Sequence, residues 1–338
     1  MKKSILAVAI LGAFAGAASA QSSVTLQGTL DLNARYIKND GRDRNVSMGT
    51  DGLNSSQLVF SGTEDLGGGL AASFQLNSGL NPDTGSTNSS AKFFNRRSTV
   101  SLTGGFGEVR LGRDYTPTFW NNTLFDAFGT VGIANSLNVR QAPLASLGTF
   151  VRLDNAVSYF LPSKIGGVYG QVMVAASESA ATNPGRYIGG RVGFAAGPFD
   201  VSAAAAEQRI DGPTVGKLKT YNVGGSYDLG VVKLLGYVNR DTLLTARETR
   251  GSFSVVVPMG QGEVHASYGR SKATDTNFDN SVSQFGLGYV YSLSKRTAVY
   301  STVSRLNNGN ASILSVGGVA PTLGNNSTGF EFGVRHFF

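Results

Sequence analysis

Beyond its first twenty residues, this 338-residue chain has no apolar stretch long enough to cross a bilayer as a helix. Many segments instead show a period of two. In the segment 24–36 (VTLQGTLDLNARY), apolar or small residues occupy the even positions and polar residues the odd ones, and 70–77 and 284–291 alternate similarly. Only helices and closed β-barrels satisfy their backbone hydrogen bonds in lipid. The pattern therefore predicts membrane strands with one face toward lipid and the other toward water.

The first twenty residues predict export. Lys2 and Lys3 provide a positive start, an apolar core follows at 5–15, and the small residues at 18–20 suit a signal peptidase. The apolar run is shorter than the ~20 residues that a spanning helix needs, which argues against a membrane anchor. We therefore expect a cleaved signal peptide at 1–20 and a single barrel domain at 21–338, because no linker divides the rest of the chain.

Turn chemistry separates short connections from long ones. Tight turns rich in Gly, Pro or Asp are predicted at 64–69, 104–107, 162–167, 197–198, 228–230, 258–262 and 292–296. Longer polar loops are predicted at 38–54, 78–92, 116–149, 178–186, 208–218, 241–246, 271–280 and 307–327. Seven turns and eight loops connect sixteen strands. The sequence therefore predicts an all-β, 16-stranded antiparallel transmembrane β-barrel with long external loops and short periplasmic turns.

Composition argues against several kinds of site. Charged residues make up only 15% of the chain, against about a quarter in a typical soluble domain. There is no Cys, and the two histidines, His265 and His336, are far apart in sequence without paired carboxylates. We expect no metal, no cofactor and no catalytic triad, and hence no enzyme. The net charge of +7 comes from dispersed residues rather than a basic helix, so we expect no nucleic-acid binding.

Seven short motifs follow one another along the chain. They are GTEDLGGGL at 62–70, NRR at 95–97, GGFG at 104–107, GRDYTP at 112–117, DN at 154–155, LSKRT at 293–297 and RHFF at 335–338. Each motif is weak alone, but together their order and spacing resemble those of the trimeric Gram-negative general porins, especially the betaproteobacterial branch. The resemblance implies a homotrimer of sixteen-stranded barrels in the bacterial outer membrane, each with its third external loop folded into the lumen as a constriction.

The resemblance also implies which charges line that constriction. The longest loop, 116–149, contains FDAFG at 125–129, which resembles the family's short acidic-aromatic-glycine segment and assigns Asp126 to the loop side. On the facing wall, Arg152 and Arg96 match two positions in a row of basic residues, and Arg97 adjoins the second of them. In a passive channel, the field of such charges across the narrowest point sets the selectivity.

Strand alternation agrees with part of this assignment. It turns Arg35 inward near the external end, and it turns Arg152 inward with Leu153 on the opposite face. It would turn Arg96 outward, on the face of Val100, and for this residue we follow the resemblance instead.

The second strand departs from the family pattern. Gln57 and Ser61 stand where relatives often carry basic residues, so one position of the basic row is neutral. The inserted loop is nevertheless poor in acids and the whole chain is basic. We therefore expect passive diffusion of small hydrophilic solutes and ions with a mild preference for anions.

The last strand presents an aromatic face. One parity carries Phe330, Phe332, Val334, His336 and Phe338. That face suits lipid, and a terminal Phe338 resembles the recognition signal of the outer-membrane assembly machinery. The assembly machinery is therefore an expected partner, as are further copies of this chain, outer-membrane lipid and lipopolysaccharide, and small solutes and anions.

Two other functions remain open from the sequence. A solute-specific binding channel, or an adhesin presented by the loops, would use the same barrel scaffold. A barrel enzyme would need a nucleophile beside a histidine and an acid, and neither histidine has such neighbours in the sequence.

Overall fold

A computed structural model describes residues 23–141, 144, 151–163, 165–177, 185–210, 216–274, 280–318 and 320–338. The predicted signal peptide at 1–20 lies outside these residues. So do parts of the loops predicted at 116–149, 178–186, 208–218 and 271–280.

Eighteen strands run through the described chain. Their bounds are β1 (Ser23–Asn39), β2 (Asn45–Thr50), β3 (Gln57–Gly67), β4 (Leu70–Asn81), β5 (Ser86–Thr87), β6 (Arg97–Gly104), β7 (Gly107–Tyr115), β8 (Arg152–Phe160), β9 (Val168–Ala175), β10 (Tyr187–Ala196), β11 (Phe199–Ile210), β12 (Gly216–Asp228), β13 (Lys233–Leu243), β14 (Ala246–Met259), β15 (Gly262–Thr274), β16 (Asn280–Ser292), β17 (Thr297–Asn307) and β18 (Ser327–Phe337). The described residues also include a helix, α1 (Pro117–Leu124), and a 3₁₀ turn (Ser136–Val139). Within the described residues, no helix has the length and apolar character that a membrane crossing requires.

These strands make a closed barrel with sixteen positions in its wall. β2 and β3 pair with the two halves of β1, so together they form one wall strand interrupted at 51–56. β5 pairs only with the end of β4, away from the main sheet. Every pairing is antiparallel, and β1 pairs with β18, which closes the sheet. The predicted fold class is confirmed.

The two faces of the wall differ as the alternation predicts. Leu26 and Phe285 point outward and are 56% and 50% exposed. Thr29 and Gln284 point inward and are 4% and 3% exposed. An outer face of exposed apolar side chains suits lipid, and an inner face of polar side chains suits a water-filled interior.

The short connections lie where the turn residues predict them, for example between β6 and β7 at 104–107 and between β10 and β11 at 197–198. One predicted long loop is wrong. β13 ends at Leu243 and β14 begins at Ala246, so 241–246 contains a two-residue hairpin in which Leu244 has a φ of 54°. The polar residues there suggested a loop, but Asp241 belongs to the wall and is buried inside the barrel against Arg250.

Candidate functional site

Loop L3 connects β7 to β8, and its described residues 116–141 fold into the barrel. It begins with the helix α1. Thr116 caps the N-terminus of α1, because its side-chain oxygen accepts a hydrogen bond from the backbone N–H of Phe119 at 3.2 Å. On the inner wall, Asn121 donates to Asn222 of β12 at 3.0 Å and accepts from the hydroxyl of Ser202 of β11 at 2.6 Å. These buried polar contacts attach α1 to the wall far along the chain from β7.

Wall glycines provide the space for L3. A Cβ atom on Gly224 would lie 2.4 Å from the Phe125 ring, and one on Gly286 would lie 2.5 Å from the Ala134 methyl carbon. Both distances are far below van der Waals contact, so any larger residue at either position would push L3 away from the wall. The inward-facing glycines are therefore part of the loop-binding surface.

Asp126 organises L3 from within. Its carboxylate accepts hydrogen bonds from the backbone N–H groups of Phe128, Thr130 and Ser136 and from the Ser136 hydroxyl, at 2.7 to 3.2 Å. Burial raises the pKa of the Asp126 carboxyl above its ordinary value, although these four donors oppose the shift. The side chain is only 4% exposed. Its oxygens are turned into the loop, and the assignment of Asp126 to the constriction stays a prediction.

Residues 140–141 of L3 meet a buried cluster of charges, which we call the latch: Arg140, Asp241, Glu248 and Arg250. The Arg250 guanidinium lies 3.3 Å from Glu248 and 3.6 Å from Asp241, and all three side chains are fully buried. Arg140 of L3 approaches Asp241 at 3.9 Å. Glu248 also accepts from the backbone N–H of Gln141 at 3.2 Å. The latch thus joins L3 to β13 and β14.

A cavity of about 370 Å³ lies between L3 and the opposite wall. Its L3 side includes Trp120 of α1 and the segment 129–132, and its wall side includes Arg96, Tyr115, Arg152 and one acid, Asp51. One carboxylate oxygen of Asp51 accepts hydrogen bonds from the Thr50 hydroxyl and the Ser56 backbone N–H. The loop and the basic wall predicted to face each other therefore line one space.

Two arginines of this cavity share a tyrosine. Arg96 and Arg152 each donate a hydrogen bond to the Tyr115 hydroxyl, at 2.9 and 2.8 Å, and the Arg152 guanidinium stacks 4.4 Å from the Tyr115 ring centroid. In the described residues, neither guanidinium has a carboxylate within 4.0 Å, and the Nε atoms of both lack a hydrogen-bond partner. Their positive charges are therefore not neutralised by a neighbouring acid.

The other arginines assigned to the constriction are paired. Arg35 faces inward and binds Glu331 of β18 through two hydrogen bonds, at 2.9 and 3.1 Å. Arg97 binds Asp114 at 2.9 Å and also donates to Gln75. Their contribution to the field in the lumen is consequently smaller than that of an unpaired cation.

Local backbone irregularities explain where alternation misleads. Arg96 faces inward although its parity points outward, because β6 begins only at Arg97 and alternation does not apply before it. Leu153, expected on the outer face, is instead buried against Met173 inside the barrel. A register shift in β7 between Gly112 and Asp114 and a φ of 52° at Asn155 interrupt the alternation of β8.

Sequence reasoning missed a further inward arginine, Arg191 of β10. Its guanidinium lies 5.3 Å from the ring centroid of Tyr169 and 6.0 Å from that of Trp120, and it donates to Gln171 at 3.0 Å. Alternation in β10 could have identified it. Val192, the next residue, is exposed on the outer face, so Arg191 must point inward.

The neutral position of the basic row is also polar in the structure, where Gln57 accepts a hydrogen bond from Asn77 at 2.9 Å.

At the barrel seam, Phe338 exchanges two backbone hydrogen bonds with Gly28 of β1. Its ring covers that glycine, since a Cβ atom there would lie 2.4 Å from the ring. The terminal residue thus seals the junction between the first and last strands, and a role in recognition by the assembly machinery stays a prediction.

Known proteins provide close comparisons over the whole chain. The family model for Gram-negative porin matches residues 7–311. Outer membrane porin protein 32 of Delftia acidovorans is 39% identical, with all of both chains covered, and an outer membrane porin protein of Bordetella pertussis is 30% identical over 89% of this chain and 93% of its own. The solved structure of an anion-selective porin from Comamonas acidovorans has a TM-score of 0.85 and 36% identity, covering 94% of this chain and 100% of that one.

Proposed function

Because this chain belongs to the Gram-negative porin family, we propose that the passive channel it forms across the outer membrane passes anions more readily than cations. The observation that carries the proposal is the pairing of charges around the constriction. Arg96 and Arg152 line the cavity without an acidic partner among the described residues, whereas Arg35 and Arg97 are ion-paired. The one acid expected on the loop side, Asp126, is buried by its own loop.

Physical reasoning gives the sign of the preference. Fixed charges in a narrow space with low-dielectric walls are screened less than charges in bulk solution. A dissolved anion near Arg96 and Arg152 is stabilised and a cation is repelled. The cavity lining also holds one acid, Asp51, so the two arginines leave its charge positive. The anion-selective porin from Comamonas acidovorans, 36% identical in sequence, supports the same assignment. Neutral Gln57 keeps the expected preference mild.

Reversal potential measurements test the proposal on the wild-type protein. In a planar bilayer with a KCl gradient, we expect the reversal potential to lie on the side of the chloride equilibrium potential. Since salt screens fixed charges over shorter distances as its concentration rises, the preference should decrease between 0.1 M and about 1 M salt. A reversal potential on the potassium side at low salt would contradict the proposed selectivity and leave the channel itself intact.

The curated relatives are channels rather than enzymes. We extend this to the present chain and propose that it has no catalytic activity and needs no cofactor. We also propose that residues 1–20 are removed on export and that Phe338 contacts the assembly machinery. Small hydrophilic solutes and anions are the proposed cargo.

We further propose that three copies of the chain associate through the wall around β1, β2 and β6. The outer face there carries exposed apolar residues, which are Val24, Leu26, Val46, Met48 and Val100. An apolar surface shared by identical subunits suits a closed symmetric oligomer.

Gel migration before and after boiling tests the trimer. The native protein in mild detergent is expected to migrate as a trimer, and the boiled protein as a monomer, because heat separates the subunits and unfolds the barrel. Migration as a monomer under both conditions would contradict the prediction.

A further inference from the structure

Three basic side chains form a cluster on the outer, lipid-facing side of the barrel, near the edge from which L3 enters the barrel. Arg240 of β13 lies opposite Thr249 of β14, which in turn lies opposite Lys272 of β15. Arg270, two residues before Lys272 on the same face, lies opposite Gly251. Because neighbouring strands are about 4.8 Å apart, Arg240 and Lys272 stand roughly 10 Å apart across β14. We call this arrangement the basic saddle.

The saddle is open and positively charged. Arg240, Arg270 and Lys272 are exposed, and within the described residues none of them has a carboxylate within 4.0 Å. Arg270 donates to the hydroxyl of Ser281 at 3.3 Å. The floor consists of Thr249 and Gly251, both small, so an anion could lie between the three cations without displacing protein atoms. The nearest acids on β13 and β14, Asp241 and Glu248, point into the barrel and are engaged in the latch.

An apolar groove adjoins the saddle. It has a volume of about 680 Å³ and reaches from β9 to β13. Small residues, Gly190, Ala203 and Ala205, form its centre, Val172 and Val223 flank it, and Arg240 lies on its lining. Arg240 therefore belongs to both the groove and the saddle.

The level of the saddle in the membrane follows from the aromatic residues beside it. Phe253, Tyr268 and Phe285 lie side by side on β14, β15 and β16 and are exposed on the outer face. Tyr268 is two residues before Arg270 on the same strand, which places this row nearer the middle of the barrel wall than Arg270. Aromatic side chains of outer-membrane barrels mark the boundary between the hydrocarbon and the head groups. Cations just beyond that boundary, on the side of the long loops, lie among the head groups of the outer leaflet.

We propose that the outer wall of β9 to β15 binds a lipopolysaccharide molecule of the outer leaflet, with a phosphate group on the basic saddle and an acyl chain in the groove. Charge complementarity selects a phosphorylated lipid, because three cations without acidic partners face the head-group layer. The adjoining groove is apolar and open to lipid, which suits an acyl chain and not a free phosphate ion. The proposed trimer leaves this wall available, because β12 stands about half-way around the barrel from the wall of β1 to β6.

Binding of purified lipopolysaccharide to the detergent-solubilised protein tests the proposal. The double variant Arg240→Gln/Lys272→Gln should bind about 30-fold more weakly than wild type, since each basic residue near an anionic surface contributes roughly a factor of five. The matched control, Lys295→Gln/Arg296→Gln, removes one Lys and one Arg from the turn after β16 at the opposite edge of the barrel. It should bind like wild type.

Two further measurements separate the head group from the acyl chain. Dephosphorylated lipopolysaccharide should bind wild type and the saddle variant equally, and Ala205→Phe, which fills the groove, should weaken binding of both lipid forms. Inorganic phosphate alone should not compete at millimolar concentration. Equal binding of phosphorylated lipopolysaccharide by wild type and the saddle variant would overturn the proposal. So would a wild-type affinity for phosphatidylglycerol equal to that for lipopolysaccharide. Ion selectivity should be unchanged in every one of these variants, so the outcome is independent of the proposed anion preference.

Discussion

Replacement of both Arg96 and Arg152 by glutamate is expected to reverse the ion preference of the channel. The change replaces two unpaired cations that line one cavity of about 370 Å³ with two anions. A unit charge several ångströms from a passing ion contributes on the order of 1 kcal/mol at the dielectric constants of a protein surface. Reversing two charges should therefore change the anion-to-cation permeability ratio by more than tenfold, and the reversal potential in a salt gradient should change sign.

Smaller substitutions at the same positions separate charge from shape. Arg152→Ala alone should lower the permeability ratio without inverting it, and Arg96→Lys/Arg152→Lys should retain the anion preference, because lysine keeps the charge although it loses the fork that holds Tyr115. Heat modifiability on gels shows that each variant has folded. An unchanged reversal potential for Arg152→Ala at low salt would reject the assignment of Arg152 to the constriction.

Replacement of Arg250 by methionine is expected to loosen loop L3. Arg250 is fully buried between Asp241 and Glu248, and removing one partner of a buried ion cluster costs about 3–5 kcal/mol because the remaining charges stay unpaired. Glu248 also holds the backbone of Gln141 in L3. We therefore expect this loss of stability to release L3 from β13 and β14. Single-channel records should show a higher conductance and more current noise, and L3 should be cleaved faster by protease.

Two comparisons make this prediction specific. Arg305→Met, which changes an exposed arginine on the outer face of β17, should leave conductance unchanged. The double variant Glu248→Gln/Arg250→Met removes one charge of each sign and leaves Arg140 beside Asp241, so it should recover much of the stability of L3. Wild-type conductance and protease resistance in Arg250→Met would show that the latch does not hold the loop.

The barrel was largely predictable because its signal is local. Alternation identifies which face of β1 or β16 meets lipid, since successive side chains of a strand point in opposite directions. The errors occur where that geometry is interrupted. Arg96 precedes its strand, the alternation of β8 is interrupted by the shift in β7 and the backbone of Asn155, and the polar residues around Asp241 suggested a loop that the wall absorbs.

By itself, the sequence determined that this chain forms a barrel with short turns on one edge and that Arg35 faces inward, because side-chain direction in a regular strand depends only on position. The tertiary structure alone decided which charges act in the lumen. Arg35 meets Glu331 from the far end of the chain, Asp126 turns into L3, and Arg96 comes to share Tyr115 with Arg152. Whether a charge is neutralised depends on partners within a few ångströms, and barrel closure and the folding of L3 bring those partners together from distant parts of the sequence.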